Sequence, residues 1–314
     1  MINKLPLFYF PPTICWVDDS QLFLDAARQL FEGEYHCLTF ADPKKAVDYL
    51  TTYKPPCANI NFTREFIESD LYNTHNHLPI DMNISEIVQL AYKSEIRNEL
   101  AILVIDNYMP TINGIELANQ FKNSTYKKIL LTGQTSPTEA IHAFNEEIID
   151  RFIEKNKNVA DILQNSIREL SYLYFYEKTK SLLTHIETSR PSPLSDELFI
   201  NFFYRWCNSI NCKEFYLINK HGSFLVKDNN GLSTYFIVMS EHDKNEFVAL
   251  NDDAFDKVGH LLDCVVKGES IPFFGVGKEY WEFNHADWES YFYPCDVIEG
   301  REKYYWATIH KMEV

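Results

Sequence analysis

Ala101-Ile102-Leu103-Val104-Ile105 is an unbroken apolar run that ends on Asp106 and leads into Asn107-Tyr108-Met109-Pro110-Thr111-Ile112-Asn113-Gly114. An apolar run without polar alternation predicts a strand buried on both faces, the kind found in a parallel sheet covered by helices. The loop carries Pro110, and a helical pattern runs from Gly114 to Phe121. The same strand–loop–helix grammar repeats on either side. Thr13–Val17 is strand-like and ends on Asp18-Asp19-Ser20, before a helical pattern from Gln21 to Phe31. Tyr35–Phe40 reads as a strand, and Asp42 then caps a helix with Pro43 in its first position, running to about Tyr53. Lys128–Leu131 is a further strand, ending at Thr132. Ser136, Pro137 and Glu139 follow as N-cap, N1 and N3 of a capping box. Asp150–Ile153 is a short last strand, just before Lys155. Five βα units in about 160 residues predict a parallel α/β sheet with helices on both faces.

One stretch breaks the rhythm. About forty residues more than a usual connection separate the second helix from the run at Ala101. Phe62–Tyr72 and Ile84–Glu95 read as helices and Asn73–His77 as a turn, so residues 54–99 are expected to be a helical insert in the first domain, 1–158. A long helical pattern, Val159 to about Ile186, leads to Arg190-Pro191-Ser192-Pro193, which marks the domain boundary, so 159–190 is an extended helix and linker. Residues 191–314 read as α+β. An aromatic helix, Asp196–Cys207, precedes an antiparallel meander over Glu214–Asn219, Ser223–Lys227 and Ser233–Met239. A helix, Asp252–Val266, follows, and the strands Tyr291–Ile298 and Tyr304–His310 flank a hairpin at Glu299–Glu302.

Lys and Arg number 29 against 45 Asp and Glu, a net charge of −16. An acidic surface repels nucleic acid and anionic lipid, so global charge supports neither a DNA-binding nor a membrane-surface role. The seven cysteines are scattered and unpaired in spacing, which reads as free thiols in a reducing compartment. No apolar run reaches the length of about 18 residues that a membrane helix needs. Met1–Phe10, interrupted by Lys4 and Pro6, lacks the apolar stretch of a signal peptide. The expected localisation is cytoplasmic.

In an open parallel sheet, ligands bind beyond the carboxyl ends of the strands. Those ends carry Asp18-Asp19, Asp106, Thr132 and Lys155. Three crowded carboxylates make sense around a hard divalent cation such as Mg²⁺, which takes oxygen ligands and keeps waters for a phosphoryl group. Lys155 and Thr132 offer a cation and a hydroxyl to phosphoryl oxygens, and a carboxylate can accept phosphoryl as an acyl phosphate. Asp106 is the natural nucleophile.

These residues resemble the receiver domain of two-component response regulators, the CheY-like family. Val17-Asp18-Asp19-Ser20 matches its acidic pair, Asp106 to Gly114 its D-x-x-M-P-x-x-N-G signature, Leu131-Thr132-Gly133 its switch position and Phe152-Ile153-Glu154-Lys155 its lysine. The match covers about residues 12–175 without the insert. It implies a flavodoxin-like sheet of order 2-1-3-4-5 and phosphoryl transfer from a sensor histidine kinase to Asp106. It also implies Mg²⁺ held by Asp19, Asp106 and the backbone carbonyl of Tyr108, with Asp18 acting through water, and a switch made of Thr132 and Phe152. Asn156 stands where the family carries proline, and Tyr108 lies close to where the phosphoryl oxygens would sit. Such a chain transfers phosphoryl only to itself, so it is expected not to be an enzyme in the turnover sense.

The C-terminal segment carries 11 basic and 20 acidic residues from Leu194 onward, a net −9, and shows no basic helix-turn-helix. Three readings of it stay open. It is a protein- or ligand-binding module whose exposure or dimerisation changes on phosphorylation, an enzyme acting on nucleotides or phosphodiesters, or an atypical DNA-binding output. The first is preferred because Asp252, Asp253, Asp256 and Asp263 read as a solvated helix face rather than a metal cluster. Together, insert and output resemble quorum-sensing response regulators. The cysteines and histidines at 207, 212, 221, 242, 264 and 295 lack zinc spacing. Gly275–Lys278 reads as a turn, and the aromatics from Tyr280 to Tyr293 as core or a partner-facing surface.

Overall fold

A computed structural model describes residues 4–57, 63–64, 81–133, 137–187 and 192–310. In chain order, β1 (Phe8–Tyr9) is followed by β2 (Thr13–Val17), α1 (Gln21–Phe31), β3 (His36–Phe40) and α2 (Pro43–Thr52). The short strands β4 (Thr63–Arg64) and β5 (Asp81–Met82) precede α3 (Ile84–Leu90) and a 3-10 turn at Ser94–Asn98. Then come β6 (Leu100–Asp106), α4 (Gly114–Gln120), β7 (Lys127–Thr132), α5 (Pro137–Asn145), β8 (Arg151–Glu154) and α6 (Val159–Glu187). The remainder holds α7 (Glu197–Ser209), β9 (Cys212–Leu217), β10 (Phe224–Asp228), β11 (Ser233–Ser240), α8 (Glu241–Leu250), α9 (Phe255–Lys267), β12 (Ser270–Pro272), β13 (Phe292–Pro294), β14 (Asp296–Glu299) and β15 (Lys303–His310).

The chain forms two compact units. One gathers 10–57, 93–133 and 137–178, and the other 4–9, 63–64, 81–92, 179–187 and 192–310. The sequence grouped the first nine residues and the insert, 54–99, with the parallel sheet. Contacts keep 54–57 and 93–99 there and place 4–9, 63–64 and 81–92 with the C-terminal strands, where β1 and α3 find their partners.

In the first unit the sheet order is β3-β2-β6-β7-β8, every pair parallel, which is 2-1-3-4-5 when the five strands are counted by themselves. All of β2, β6 and β7 is buried, in keeping with the apolar runs Ile14–Val17, Leu100–Ile105 and Ile129–Leu131 at their centres. Cys15, Leu103, Ile105 and Leu130 pack with Leu50, Leu117 and Ala143 in one core. Each fully buried Leu or Ile there is worth ~1.5–3 kcal/mol. Asp42 caps α2 as expected, its carboxylate accepting from the Lys44 N–H at 2.9 Å. The expected cap of α5 at Ser136 lies outside the described residues.

In the second unit six strands form an antiparallel sheet, β1-β9-β10-β11-β15-β14. α7 buries Phe199, Ile200, Phe203 and Cys207, at the spacing of one helical face. Phe203 lies 4.7 Å from Phe224 and Trp206 4.8 Å from Phe236, ring to ring. α3 packs against β9, and Lys227 Nζ donates to the Ala91 carbonyl at the end of α3.

Several elements depart from the sequence reading. Phe62–Tyr72 was expected to be helical, yet Thr63–Arg64 form β4, paired antiparallel with β5; the rest of that stretch and the turn at Asn73–His77 lie outside the described residues. Tyr291–Ile298 is not one strand. Phe292–Pro294 pairs with β12 and Asp296–Glu299 with β15, the break falling after Pro294, which has no N–H to extend a ladder. The helix expected from Asp252 starts as a 3-10 turn and is kinked at Val258. Helix α8 had no counterpart in the reading.

Candidate functional site

The register of the parallel sheet builds the site. Val17 sits beside Ile105, so Asp18 leaves the sheet level with Asp106. Thr132 sits beside Glu154, so Lys155 emerges next to it, and the Lys155 backbone N–H donates to the Thr132 carbonyl at 2.8 Å. One acidic oxygen each from Asp18, Asp19 and Asp106 lies within 4.8 Å of the others. Asp18 is 2% exposed and Asp106 6%, while Asp19 is exposed. Lys155 Nζ bridges the two buried carboxylates, 2.6 Å from Asp18 Oδ2 and 2.8 Å from Asp106 Oδ1.

Local structure fixes each group. The Ser20 N–H donates to Asp18 Oδ1 at 2.9 Å, and the Ser20 hydroxyl accepts from the Phe23 N–H, starting α1 directly behind the acidic pair. Asn113 caps α4 by accepting from the Glu116 N–H at 2.7 Å. Gly114 N–H donates to the Asn107 carbonyl at 3.0 Å, and a Cβ at Gly114 would lie 2.5 Å from the Asp106 carbonyl oxygen. Only glycine lets the helix start this close to the Asp106 backbone.

The charges are strongly coupled. Burial raises the Asp106 carboxyl above its ordinary range; Lys155 opposes that rise, and Asp18 and Asp19 add to it. Burial by itself would depress the Lys155 ammonium, yet its bonds to Asp106 and Asp18 hold it above the usual lysine range. An all-oxygen donor set with two buried carboxylates suits a hard cation of the Mg²⁺ or Ca²⁺ type.

Every strand-end residue singled out in the sequence meets here, and Thr132 is buried among them at the end of β7. Phe152 lies on β8 with its side chain 40% exposed, and the Tyr108 side chain is exposed. The sequence reading missed Phe23, whose ring centre is 4.6 Å from Lys155 Nζ. Its signal was faint: an aromatic in the first turn of the helix that follows the acidic pair. Elsewhere, Gly275 and Gly277 adopt positive φ in a turn closed from Lys278 to Gly275. Trp288 is fully buried, surrounded by Phe247, Phe274 and Phe292, so the aromatic stretch includes core. All seven cysteines are free thiols. Among the described residues no other trio of acidic, His or Cys groups is close enough to hold a metal, and no helix is long and apolar enough to cross a membrane.

No protein-family model matches the chain, and a search of curated proteins finds no match. Among solved structures, the chain is similar to the Legionella pneumophila response regulator LqsR: 28% identity over 99% of this chain and 91% of that one, with a TM-score of 0.79. It is also similar to a response regulator receiver domain protein (CheY-like) from Methanospirillum hungatei JF-1, at 18% identity over 55% of this chain and 98% of that one, TM-score 0.35. A signal receiver domain of an HD domain-containing protein from Pseudomonas fluorescens Pf-5 aligns at 16% identity over 54% and 98%, TM-score 0.35. The last two scores are too low to carry weight.

Proposed function

With the chain a response regulator that carries a receiver domain, we propose that it accepts a phosphoryl group from a sensor histidine kinase onto Asp106 and thereby switches a C-terminal binding module. The observation that carries this reading is the Lys155 bridge between Asp18 and Asp106 at the carboxyl ends of the parallel strands. In the transfer an Asp106 carboxylate oxygen forms a bond to phosphorus. The P–N bond to the donor imidazole breaks, its electron pair returning to nitrogen, which takes up a proton. Burial raises Asp106's proton affinity and so favours it as a nucleophile. Lys155, already 2.8 Å from Asp106, then pairs with a phosphoryl oxygen, and the Thr132 hydroxyl donates to another.

Asp18, Asp19 and Asp106, with the Tyr108 carbonyl, are the ligands proposed for Mg²⁺. When bound, that ion would neutralise charge on the transferring group. Phosphate contacts to Thr132 and Lys155 that exist in only one state bias a loop, with the half-exposed Phe152 turning inward. The output is proposed to act by dimerisation or by binding a partner or ligand, without turnover and without DNA, in keeping with its acidic balance. A cytoplasmic setting, suggested by the scattered thiols, and quorum-sensing control, suggested by the resemblance noted for insert and output, belong to the same proposal.

The test is acetyl phosphate with Mg²⁺ and intact-mass measurement. The wild type gains one phosphoryl group and Asp106→Asn gains none; equal gain in both would refute the assignment. Light scattering on the phosphorylated and unmodified chain reads the dimerisation. Metal-dependent hydrolysis of nucleotides, lost on carboxylate substitution in residues 191–314, would favour the enzymatic output instead.

A further inference from the structure

At the opposite end of the parallel strands from Asp106 lies a cavity of about 780 Å³. It is lined by the start of β7, the loop before it, the end of α5 and α6, all within the first unit. Its size falls in the usual range for small-molecule sites.

Two of its lining groups are buried and poorly satisfied. Lys128 is 3% exposed, and its ammonium donates only to the Phe121 carbonyl and the Ser124 hydroxyl, each at 3.3 Å, beyond the ordinary range. Among the described residues no carboxylate pairs with it. Asp150 turns Oδ1 to Lys127 Nζ at 3.3 Å and Oδ2 to the Lys128 backbone N–H at 2.8 Å. Burial lowers the Lys128 ammonium below its usual range; the charge of Asp150 opposes that fall without a direct bond to the ammonium, and Lys127 adds to it. The second group is the Tyr126 hydroxyl, which is buried and has no partner at ordinary hydrogen-bond distance, the Ser124 hydroxyl lying near it; its ring centre is 5.8 Å from Lys128 Nζ. A buried ammonium held only by two long hydrogen bonds, and a buried hydroxyl without a partner in reach, both cost stability. One anion in the cavity would satisfy both.

We infer that this cavity is a binding site for a small organic anion, a carboxylate or phosphate monoester, whose charged head is held by Lys128 and the Tyr126 hydroxyl. Four lysines, Lys122, Lys127, Lys128 and Lys178, line the cavity with the carboxylates Glu147, Asp150 and Glu177; Lys127 pairs with Asp150 and Glu177, and Lys178 with Glu99, while Phe144, half exposed, offers an apolar face to the rest of the molecule. Lys128 lies beside Leu103 in the sheet, three residues short of Asp106, so about 10 Å of strand separates the two sites.

The test is calorimetric titration of the full chain in EDTA with inorganic phosphate, AMP and citrate. AMP and citrate distinguish a phosphate monoester from a carboxylate. Saturable binding of either is expected, weakened roughly tenfold by Lys128→Met and less by Tyr126→Phe. Asp106→Asn should bind as the wild type does, which separates this site from the phosphoryl site. Binding that Lys128→Met and Tyr126→Phe leave unchanged would overturn the proposal, as would no saturable binding of any probe. Tyr126→Phe removes one oxygen only and keeps the test decisive should Lys128→Met fail to fold.

Discussion

Lys155 Nζ lies 2.8 Å from Asp106 Oδ1. This single ion pair joins the last strand of the parallel sheet to the central one. It also places the proposed phosphoacceptor against the cation that would later meet its phosphoryl group. Lys155 holds Asp18 as well, at 2.6 Å, so one ammonium offsets two buried carboxylates.

Lys155→Met should therefore leave Asp18 and Asp106 facing each other without a counter-charge. A loss of about 2 kcal/mol at neutral pH is expected, below the full cost of breaking a buried pair because the lysine is partly solvated. Urea unfolding checks it. Millimolar Mg²⁺ should restore part of the loss, and labelling by acetyl phosphate should fall about tenfold or more.

The pH dependence of stability has a definite sign. The Asp106 carboxyl is raised in the folded chain, so the native state binds more protons than the unfolded state between the ordinary value of 3.8 and the raised one. Asp106 thus contributes stability at the acid end that is lost as pH rises through that window. Asp106→Asn should flatten the curve there. Lys155 is raised too, and its contribution holds through neutral pH and fades only above the ordinary lysine range, 10.5 and beyond. Unfolding curves of wild type and variant across pH 4–7, an interval of roughly three units, make the comparison.

Gly114→Ala should cost about 1–3 kcal/mol, the range for overpacking, since its Cβ meets the Asp106 carbonyl oxygen at 2.5 Å and Asn107 Cα at 2.9 Å. Relief of that clash moves the Asp106 backbone, so phosphoryl uptake should fall along with stability. Thermal unfolding and acetyl phosphate labelling on one sample read both.

Glu99 is fully buried and accepts from the Tyr174 hydroxyl, from Lys178 Nζ at 2.6 Å and from the Cys57 N–H at 2.9 Å. It ties the start of β6 to α6. Glu99→Ala strands an ammonium and two other donors, and a loss of about 3 kcal/mol is expected. Glu99→Gln should lose less. Where the chain stays folded, labelling of Asp106 should persist, which separates this clamp from the site. Denaturant titration with intact-mass measurement distinguishes the two effects.

The parallel sheet was legible because its strands are apolar on both faces and end on chemical residues. The first and second helices were legible because Ser20, Asp42 and Pro43 mark their starts. Helix α8 was not, since it buries only Lys244 and so shows no apolar stripe. That lysine is held by Glu241 of the same helix at 2.9 Å and by the Tyr305 hydroxyl on β15 at 3.1 Å, the second a partner that no local pattern announces. The place of α3 was not legible for a different reason: the helix has a clear apolar face, but nothing local states that β9 covers it.

Order and spacing alone determined the βα alternation, the acidic pair, the phosphoacceptor candidate and the lysine, because each is a local pattern tied to the end of one strand. Tertiary structure decided which sheet β1 joins, where α3 rests, that Phe23 lies by Lys155, and that Lys128 and Tyr126 line one cavity. These depend on pairing between residues far apart in the chain, where the free energy comes from burial and register rather than from any segment's own preference.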